Sequence, residues 1–197
     1  MRDQGRAYGQ AGRWSVLLAV VAAAVIAVAY HFSFPVKADC GNLAACIRDF
    51  YNRGRSIAYS PSIQIHDSIT LGKTTYVLIE LDEDLGHVVL VRGMTGRYKI
   101  DRLGYGDGNF RDGIVESGGR KYLLYGGRNT GRQITSITVA LEGLRYRLEL
   151  PQKERFLVSA EIDNRIASDH LDLDQVTLWN AAGEEITEKY DLSGGGI

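Results

Sequence analysis

A glycine-rich segment, GYGDGN, places two oxygen-bearing side chains at the spacing of calcium ligands. Asp107 and Asn109 match the first two ligand positions of an EF-hand-type loop, which binds the ion through carboxylate and amide oxygens. Arg111 then stands where that loop needs an acid or amide, and Asp112 stands where it needs glycine. We therefore interpret the segment as a flexible turn, with an irregular calcium or ligand contact as the alternative.

A second group of oxygen ligands lies nearer the end of the chain and is denser. Asp169, Asp172 and Asp174 occur close together with His170 among them, and hard cations such as calcium bind several carboxylates. Two leucines alternate with these acids, as apolar residues do on a half-buried strand or turn. The pattern favours a solvated acidic edge, and a cation or ligand contact is the alternative.

The motifs of the common nucleotide and metal sites are incomplete. Gly72-Lys73-Thr74 imitates the end of a phosphate-binding loop, but Asp67 occupies the position of its first glycine. The four histidines are scattered, without the paired spacing of a zinc site, and no Gly-x-Ser-x-Gly nucleophile motif occurs. The sequence therefore predicts no catalytic residue, no cofactor and no metal site. An envelope enzyme that uses two carboxylates is a lesser alternative.

One apolar stretch, WSVLLAVVAAAVIAVAYHFSF, determines how these groups are placed in the cell. It runs from Trp14 to Phe34 without Asp, Glu, Lys or Arg and is long enough to cross a bilayer as a helix. Arg2, Arg6 and Arg13 precede it, against one acid, Asp3. The positive-inside rule then puts the N-terminus in the cytoplasm and residues 36–197 outside. The predicted partner of Trp14–Phe34 is the lipid bilayer.

Two alternatives accompany this membrane segment. Val36-Lys37-Ala38 resembles a signal-peptidase site, so the chain would be secreted after cleavage near Ala38, although the apolar run exceeds the usual length of the apolar region within a signal peptide. Alanines at positions 19, 23 and 27 share one helix face, which lets two membrane helices approach closely. A role as a structural or assembly subunit, with another membrane or envelope protein as partner, is the corresponding functional alternative.

The predicted location also bears on charge and on the cysteines. Removing the charges that precede Trp14 leaves 20 basic and 23 acidic residues, a net charge near −3, so no nucleic-acid partner is expected.

Cys40 and Cys46 would face an oxidising compartment, where an even pair is a disulfide candidate. Two free thiols are the alternative. The spacing CGNLAAC is not that of a redox-active Cys-x-x-Cys motif.

The rest of the chain reads as one short helix followed by strands. Leu43, Cys46, Ile47 and Phe50 repeat at helical spacing, so a short amphipathic helix is predicted over residues 42–53, with Asn42 as its cap. From Ser56 onward, short β-type runs alternate with glycine and asparagine turns. The runs TTYVLIEL and GHVVLV are nearly all apolar, which is typical of central strands.

We therefore predict a mainly β chain with an antiparallel, β-sandwich-like extracytoplasmic domain behind a transmembrane helix and a short amphipathic helix. The predicted organisation is a cytoplasmic tail at 1–13, a transmembrane helix at 14–34, a linker and short helix at 35–55, the β-rich domain at 56–190 and a disordered tail at 191–197.

Three segments carry a resemblance: GMTGRYKIDRLGYGDGN at 93–109, YLLYGGRN at 122–129 and ERFLV at 154–158. Their layout resembles that of small, uncharacterised membrane-anchored proteins of Gram-positive bacteria, in which one N-terminal anchor precedes a β-rich extracytoplasmic domain. The resemblance implies the same organisation here, and it brings no catalytic or binding residues with it. Together with the incomplete motifs, it leads us to expect an anchored binding or sensing module.

Overall fold

The computed structural model describes residues 4–192 and 194–197, in two compact units that divide between Pro35 and Val36. The first unit is a single helix, α1 (Gln4–Ser33). Its segment Val16–Ser33 has a mean hydropathy of 2.3 and is long and apolar enough to be a membrane span or a signal sequence. Arg2 and Asp3 of the predicted cytoplasmic tail lie outside the described residues.

The second unit contains a short helix, α2 (Leu43–Tyr51), and three sheets. The first sheet has the order β1-β2-β3-β4, formed by Ile63–Leu71, Thr74–Leu81, Asp84–Arg92 and Tyr98–Gly106. The second has the order β11-β5-β6-β9, formed by Gly194–Gly196, Phe110–Ser117, Arg120–Arg128 and Arg155–Ile162. The third has the order β10-β7-β8, formed by Val176–Trp179, Ser136–Leu141 and Leu144–Glu149.

The prediction of a mainly β chain with antiparallel sheets, two helices and an apolar N-terminal helix is confirmed. Strands β2 and β3 are central in the first sheet, as their apolar runs predict, because each has a strand on both sides. Both of their faces are covered. Leu78 and Leu85 pack with Leu124 of the second sheet, whereas Val77 packs in the cluster that contains Ile47 of α2.

The second sheet contributes to two hydrophobic clusters because its side chains alternate between its faces. Leu124 joins the cluster shared with the first sheet, and its neighbour Leu123 joins the cluster that contains Ile137 and Val139 of the third sheet. The second sheet therefore has an apolar neighbour for each of its two faces.

Val36 belongs to the β unit and is not a linker residue, which corrects the boundary predicted at 35–55. It is fully buried and exchanges two backbone hydrogen bonds of 3.0 Å with Tyr98 at the start of β4. Asn42 is the N-cap residue of α2, as predicted, and its backbone carbonyl accepts the Cys46 N–H at 3.1 Å. Its side chain makes no capping hydrogen bond to the helix backbone, and its Oδ1 accepts the Lys37 N–H at 2.8 Å.

The predicted disordered tail contains a strand. Gly194–Gly196 pairs in parallel with Phe110–Asp112, and the Ile197 N–H donates to the carbonyl of Asp112 at 2.6 Å. Arg102 of β4 donates to the carbonyl of Ile197 at 3.2 Å. Three consecutive glycines have no alternating apolar pattern, so the sequence of this segment does not predict a strand. Ser193, within the predicted tail, lies outside the described residues.

Candidate functional site

An acid interrupts the apolar run of strand β2. Glu80 lies two residues after Leu78, so its side chain is directed to the same face, toward the second sheet. Only 7% of the residue is exposed. A carboxylate at that depth needs charged or hydrogen-bonding partners, because an isolated buried charge is strongly unfavourable.

Three side chains from three other strands supply those partners. Arg128 of β6 and Arg155 of β9 each donate from Nε to Oε1 of Glu80, at 2.9 and 2.8 Å. Nε2 of His66 on β1 lies 2.9 Å from Oε2. We call Glu80, His66, Arg128 and Arg155 the Glu80 cluster. It joins the first sheet to the second through one carboxylate.

The charge state of Glu80 follows from these contacts. Burial alone would raise the pKa of the carboxyl, but the hydrogen bonds from Arg155 and Arg128 outweigh burial and hold the pKa below its usual value. Glu80 is therefore an anion with both oxygens engaged. Such a group positions its neighbours, whereas a general acid needs a proton to donate near neutral pH.

An open cleft of about 390 Å³ lies beside the Glu80 cluster. It is lined by Glu80, Asp82, Glu83, Arg128 and Arg155, so every lining side chain carries a charge and both signs are present. Arg128 also donates from Nη2 to the carbonyl of Glu83, which fixes the turn between β2 and β3 against β6. A second cleft, of about 340 Å³, is lined by the consecutive residues 185–189, which belong to one short stretch of the chain.

Arg111 is buried and hydrogen bonds backbone carbonyls of three strands, β3, β4 and β5. It is 2% exposed and donates to the carbonyls of Phe110, Leu85 and Gly106 at 2.6, 2.7 and 2.7 Å. Leu85 is the second residue of β3, beside the turn at the cleft, and Gly106 ends β4. One guanidinium thus holds the ends of two first-sheet strands to the second sheet.

His87 of β3 is a further buried titratable group of the first sheet. It is 3% exposed, and neither ring nitrogen has a hydrogen-bond partner among the described residues. The ring lies against the backbone of Gly104, where a Cβ would come within 2.3 Å of its Cε1. Burial, with the nearby charges of Arg111 and Arg102, lowers the pKa of His87 to about 4, so the imidazole is neutral.

The glycine-rich segment lies next to the cleft, and it contacts Arg128 of the cleft and Arg111 through backbone carbonyls and not through its side chains. The Asn109 carbonyl accepts the Arg128 N–H at 3.0 Å, and the Gly106 carbonyl accepts from Arg111. Asp107 is exposed, and its charge lies near Arg111. Among the described residues, Asp107 belongs to no group of three or more His, Cys, Asp or Glu side chains that could hold a metal ion.

Two aspartates of the acidic segment make hydrogen bonds to residues close to them in sequence, and the backbone of Leu171 and the charge of His170 act on Asp112. Asp169 pairs with His170 at 2.7 Å, which lowers the pKa of the carboxyl and raises that of the imidazole. Asp172 exchanges hydrogen bonds with Gln175, and Asp174 is exposed. In the part of the chain that the structure describes, these acids form no metal-binding group. The solvated-edge interpretation fits this geometry.

Both cysteines are free thiols in the structure, where the sequence predicts a disulfide. Cys40 lies in a turn with φ of 55°, and Nδ2 of Asn42 donates to Sγ of Cys46 at 3.3 Å. The buried Cys46 packs in the cluster shared by α2 and the first sheet.

We expect two reactive thiols per chain when the protein is denatured without reductant, because both cysteines are free. In the native protein their reaction with a thiol reagent should be slow, since burial raises the pKa of both thiols and the thiolate is the reactive form. Thiol titration before and after denaturation measures both quantities. A denatured, unreduced chain without reactive thiols would instead establish the disulfide.

Sequence reasoning missed the residues of the cleft. Glu80 carried a detectable signal, because it is the one charged residue in TTYVLIEL. Arg128 and Arg155 each stand at an end of a strand, where an arginine is ordinary. They are opposite each other on neighbouring strands of the second sheet, and their contact with Glu80 depends on how two sheets pack. Only the packed structure brings these three residues together.

The chain matches no protein-family model, no curated protein and no solved structure. The chemistry of the cleft is therefore inferred from its own residues. An anionic glutamate holds two arginines at the wall of an open, charged cleft, with two further carboxylates at its rim. This arrangement is suited to hydrogen bonding a polar ligand.

Proposed function

We propose that the chain is a single-pass membrane protein with a cytoplasmic N-terminus, whose extracytoplasmic β domain binds a ligand at the charged cleft. The apolar segment Val16–Ser33 supports the anchor, and the arginines before it support the orientation. The observation that carries the binding assignment is the cleft of about 390 Å³ whose arginines are held in place by the buried Glu80.

Val36 supports retention of the anchor. Cleavage after Ala38 would remove this fully buried residue and both of its backbone hydrogen bonds to Tyr98. It would also remove Lys37, whose N–H is held by Asn42. A leader peptide is normally dispensable to the mature fold, whereas these residues are part of the β unit. We therefore favour the uncleaved form over secretion.

We further propose that the domain has a sandwich-like arrangement, with the second sheet between the other two. The two clusters to which the second sheet contributes support this arrangement, because each combines its residues with those of a different sheet. Stacked sheets bury alternating side chains in this manner. The cleft then opens where the ends of the first and second sheets meet.

The chemistry of Glu80 favours binding over acid–base catalysis at the cleft. Its pKa is lowered, and both of its oxygens are committed to arginine or histidine. A catalytic carboxylic acid is usually tuned in the opposite direction, toward a raised pKa. The two arginines keep further N–H groups, which a ligand can use without displacing Glu80.

The anchor and its orientation are tested on intact cells. We expect N-terminal sequencing to find α1 still attached, and we expect a protease added outside the cells to degrade the β domain. A mature chain that starts after Ala38 would refute retention of the anchor. A β domain that resists external protease but is digested after lysis would refute the orientation.

The binding site is tested by photo-cross-linking in the same cells. A benzophenone amino acid in place of Glu83, at the rim of the cleft, should form an adduct with the ligand. The matched control replaces Glu149 of β8, whose side chain is 70% exposed and takes no part in the cleft. Adducts at both positions in equal yield, or at neither, would contradict a binding site at the cleft.

A further inference from the structure

Three tyrosines form an aromatic surface near the charged cleft. The ring of Tyr51, at the end of α2, lies 6.1 Å from the ring of Tyr59 and 5.5 Å from the ring of Tyr105. The guanidinium carbon of Arg55 lies 4.2 Å from the centre of the Tyr51 ring, so this ring has neighbours on several sides. Tyr59 and Tyr105 are 51% and 44% exposed. We call Tyr51, Tyr59 and Tyr105 the tyrosine platform.

Asp82 joins the tyrosine platform to the cleft. Its Oδ2 accepts the hydroxyl of Tyr59 at 2.9 Å, and its Oδ1 accepts the N–H of Ser62 at 2.9 Å. The same residue lines the cleft beside Glu80 and Arg128. The exposed ring of Tyr59 and the charged cleft are therefore parts of one continuous surface.

Arg111 positions the other exposed ring of the platform. It holds the carbonyl of Gly106, the residue after Tyr105, and the carbonyl of Leu85, close to the turn that contains Asp82. Its three acceptors lie on two sheets, and it is buried. The spacing between the platform and the cleft is thus fixed by the interior of the domain.

The cleft offers hydrogen-bond donors and acceptors in nearly equal measure. Among the described residues, Arg128 uses Nε and Nη2 and Arg155 uses Nε and Nη1, which leaves Nη1 of Arg128 and Nη2 of Arg155 for a ligand. Asp82 and Glu83 add carboxylate acceptors. A strongly anionic polymer would meet three carboxylates there, and a cation would meet two guanidinium groups.

From this surface we infer the ligand class: a neutral, hydroxyl-rich oligosaccharide. Sugar rings of the ligand lie on Tyr59 and Tyr105, because their C–H bonds are attracted to the negative face of an aromatic ring. The hydroxyls of the next sugar donate to the carboxylates and accept from the free guanidinium N–H groups, since a hydroxyl does both. This inference rests on the proposed binding function of the cleft.

A protein partner fits the same surface less well. Anchor residues of protein interfaces enter desolvated pockets. This cleft is open, and all five residues that line it are charged. The rings of Tyr59 and Tyr105 are about half exposed, and an aromatic ring suits a flat ligand. A protein captured at the cleft is nevertheless an outcome that the following test distinguishes.

The test is calorimetric titration of the full chain, in lipid nanodiscs free of glycoside detergents, with neutral tetrasaccharides of glucose and of N-acetylglucosamine. We expect one of them to bind. Tyr59→Ala and Tyr105→Ala should each weaken binding by about tenfold, as the loss of one aromatic contact implies. Tyr59→Phe keeps the ring and should bind within about threefold of the wild type. Tyr122→Ala, on β6 outside the platform, is the matched control and should bind normally.

The results separate this inference from the proposed function. Binding that both tyrosine-to-alanine variants leave unchanged would overturn the assignment of the platform. If no tetrasaccharide binds while the cross-linker at residue 83 captures a protein, the ligand class is wrong and the binding site stands. If no tetrasaccharide binds and the cross-linker captures nothing, both proposals fail. Thermal melts of each variant show whether a loss of binding is a loss of fold.

Discussion

Replacing Glu80 by glutamine is expected to lower the free energy of unfolding by about 3 kcal/mol. The substitution keeps the size of the side chain but removes the charge that two arginines and His66 share. Breaking a buried ion pair leaves its partners uncompensated. The cost is moderated because the side chains of Arg128 and Arg155 are 20% and 27% exposed and water can reach them. Denaturant unfolding measures the change.

The matched control for this substitution is Glu161→Gln. Glu161 also pairs with an arginine, Arg120, at 3.0 Å, but both side chains are more than half exposed. An exposed ion pair contributes about 0.5 kcal/mol or less, so this variant should unfold almost as the wild type does. Equal effects of the two substitutions would contradict the structural role of Glu80. Added salt should weaken the control pair more than the Glu80 cluster.

Acidification from pH 6.5 to pH 4 is expected to remove about 3 kcal/mol of stability through His87 alone. An unfolded histidine binds a proton near pH 6.5, whereas His87 in the native protein does so only near pH 4. The unfolded chain therefore binds more protons throughout this interval, and the native state becomes less stable as the pH falls. Above pH 6.5 the effect is absent. Unfolding free energies measured across the interval give the slope.

His87→Met isolates this contribution, because methionine fills irregular space without titrating. The variant should lose about 3 kcal/mol less than the wild type over the same interval. His170→Gln is the control. His170 is exposed, and its pKa is raised by Asp169, so its removal should leave the acid-induced loss intact. If the His87→Met variant and the wild type lost the same unfolding free energy between pH 6.5 and pH 4, the assignment to His87 would be refuted.

Local patterns predicted the elements well. The apolar runs of β2 and β3 identified central strands, and the helical spacing of Leu43, Cys46 and Ile47 identified α2. These features depend on the alternation or repetition of neighbouring residues. The apolar segment after Trp14 likewise follows from composition alone.

The candidate site depends on contacts across sheets, which periodicity does not encode. Arg155 meets Glu80 from a strand that lies 75 residues further along the chain. The sequence instead drew attention to Asp107, Asp169 and Asp172, because local density of acids is visible without a fold. Val36 was placed in a linker because a single bridging residue produces no pattern.

The most direct test of a ligand at the platform and cleft is hydroxyl-radical footprinting of the same full chain in two settings, purified in nanodiscs and in the envelope of intact cells. We expect labelling of Tyr59 and Tyr105 to fall severalfold in the cells, because the ligand covers their exposed rings. Leu144 on β8 is 42% exposed and serves as the internal reference, with equal labelling in both settings. Equal labelling of the two tyrosines in both settings, or an equal fall at Leu144, would contradict a ligand-binding surface at this end of the β domain.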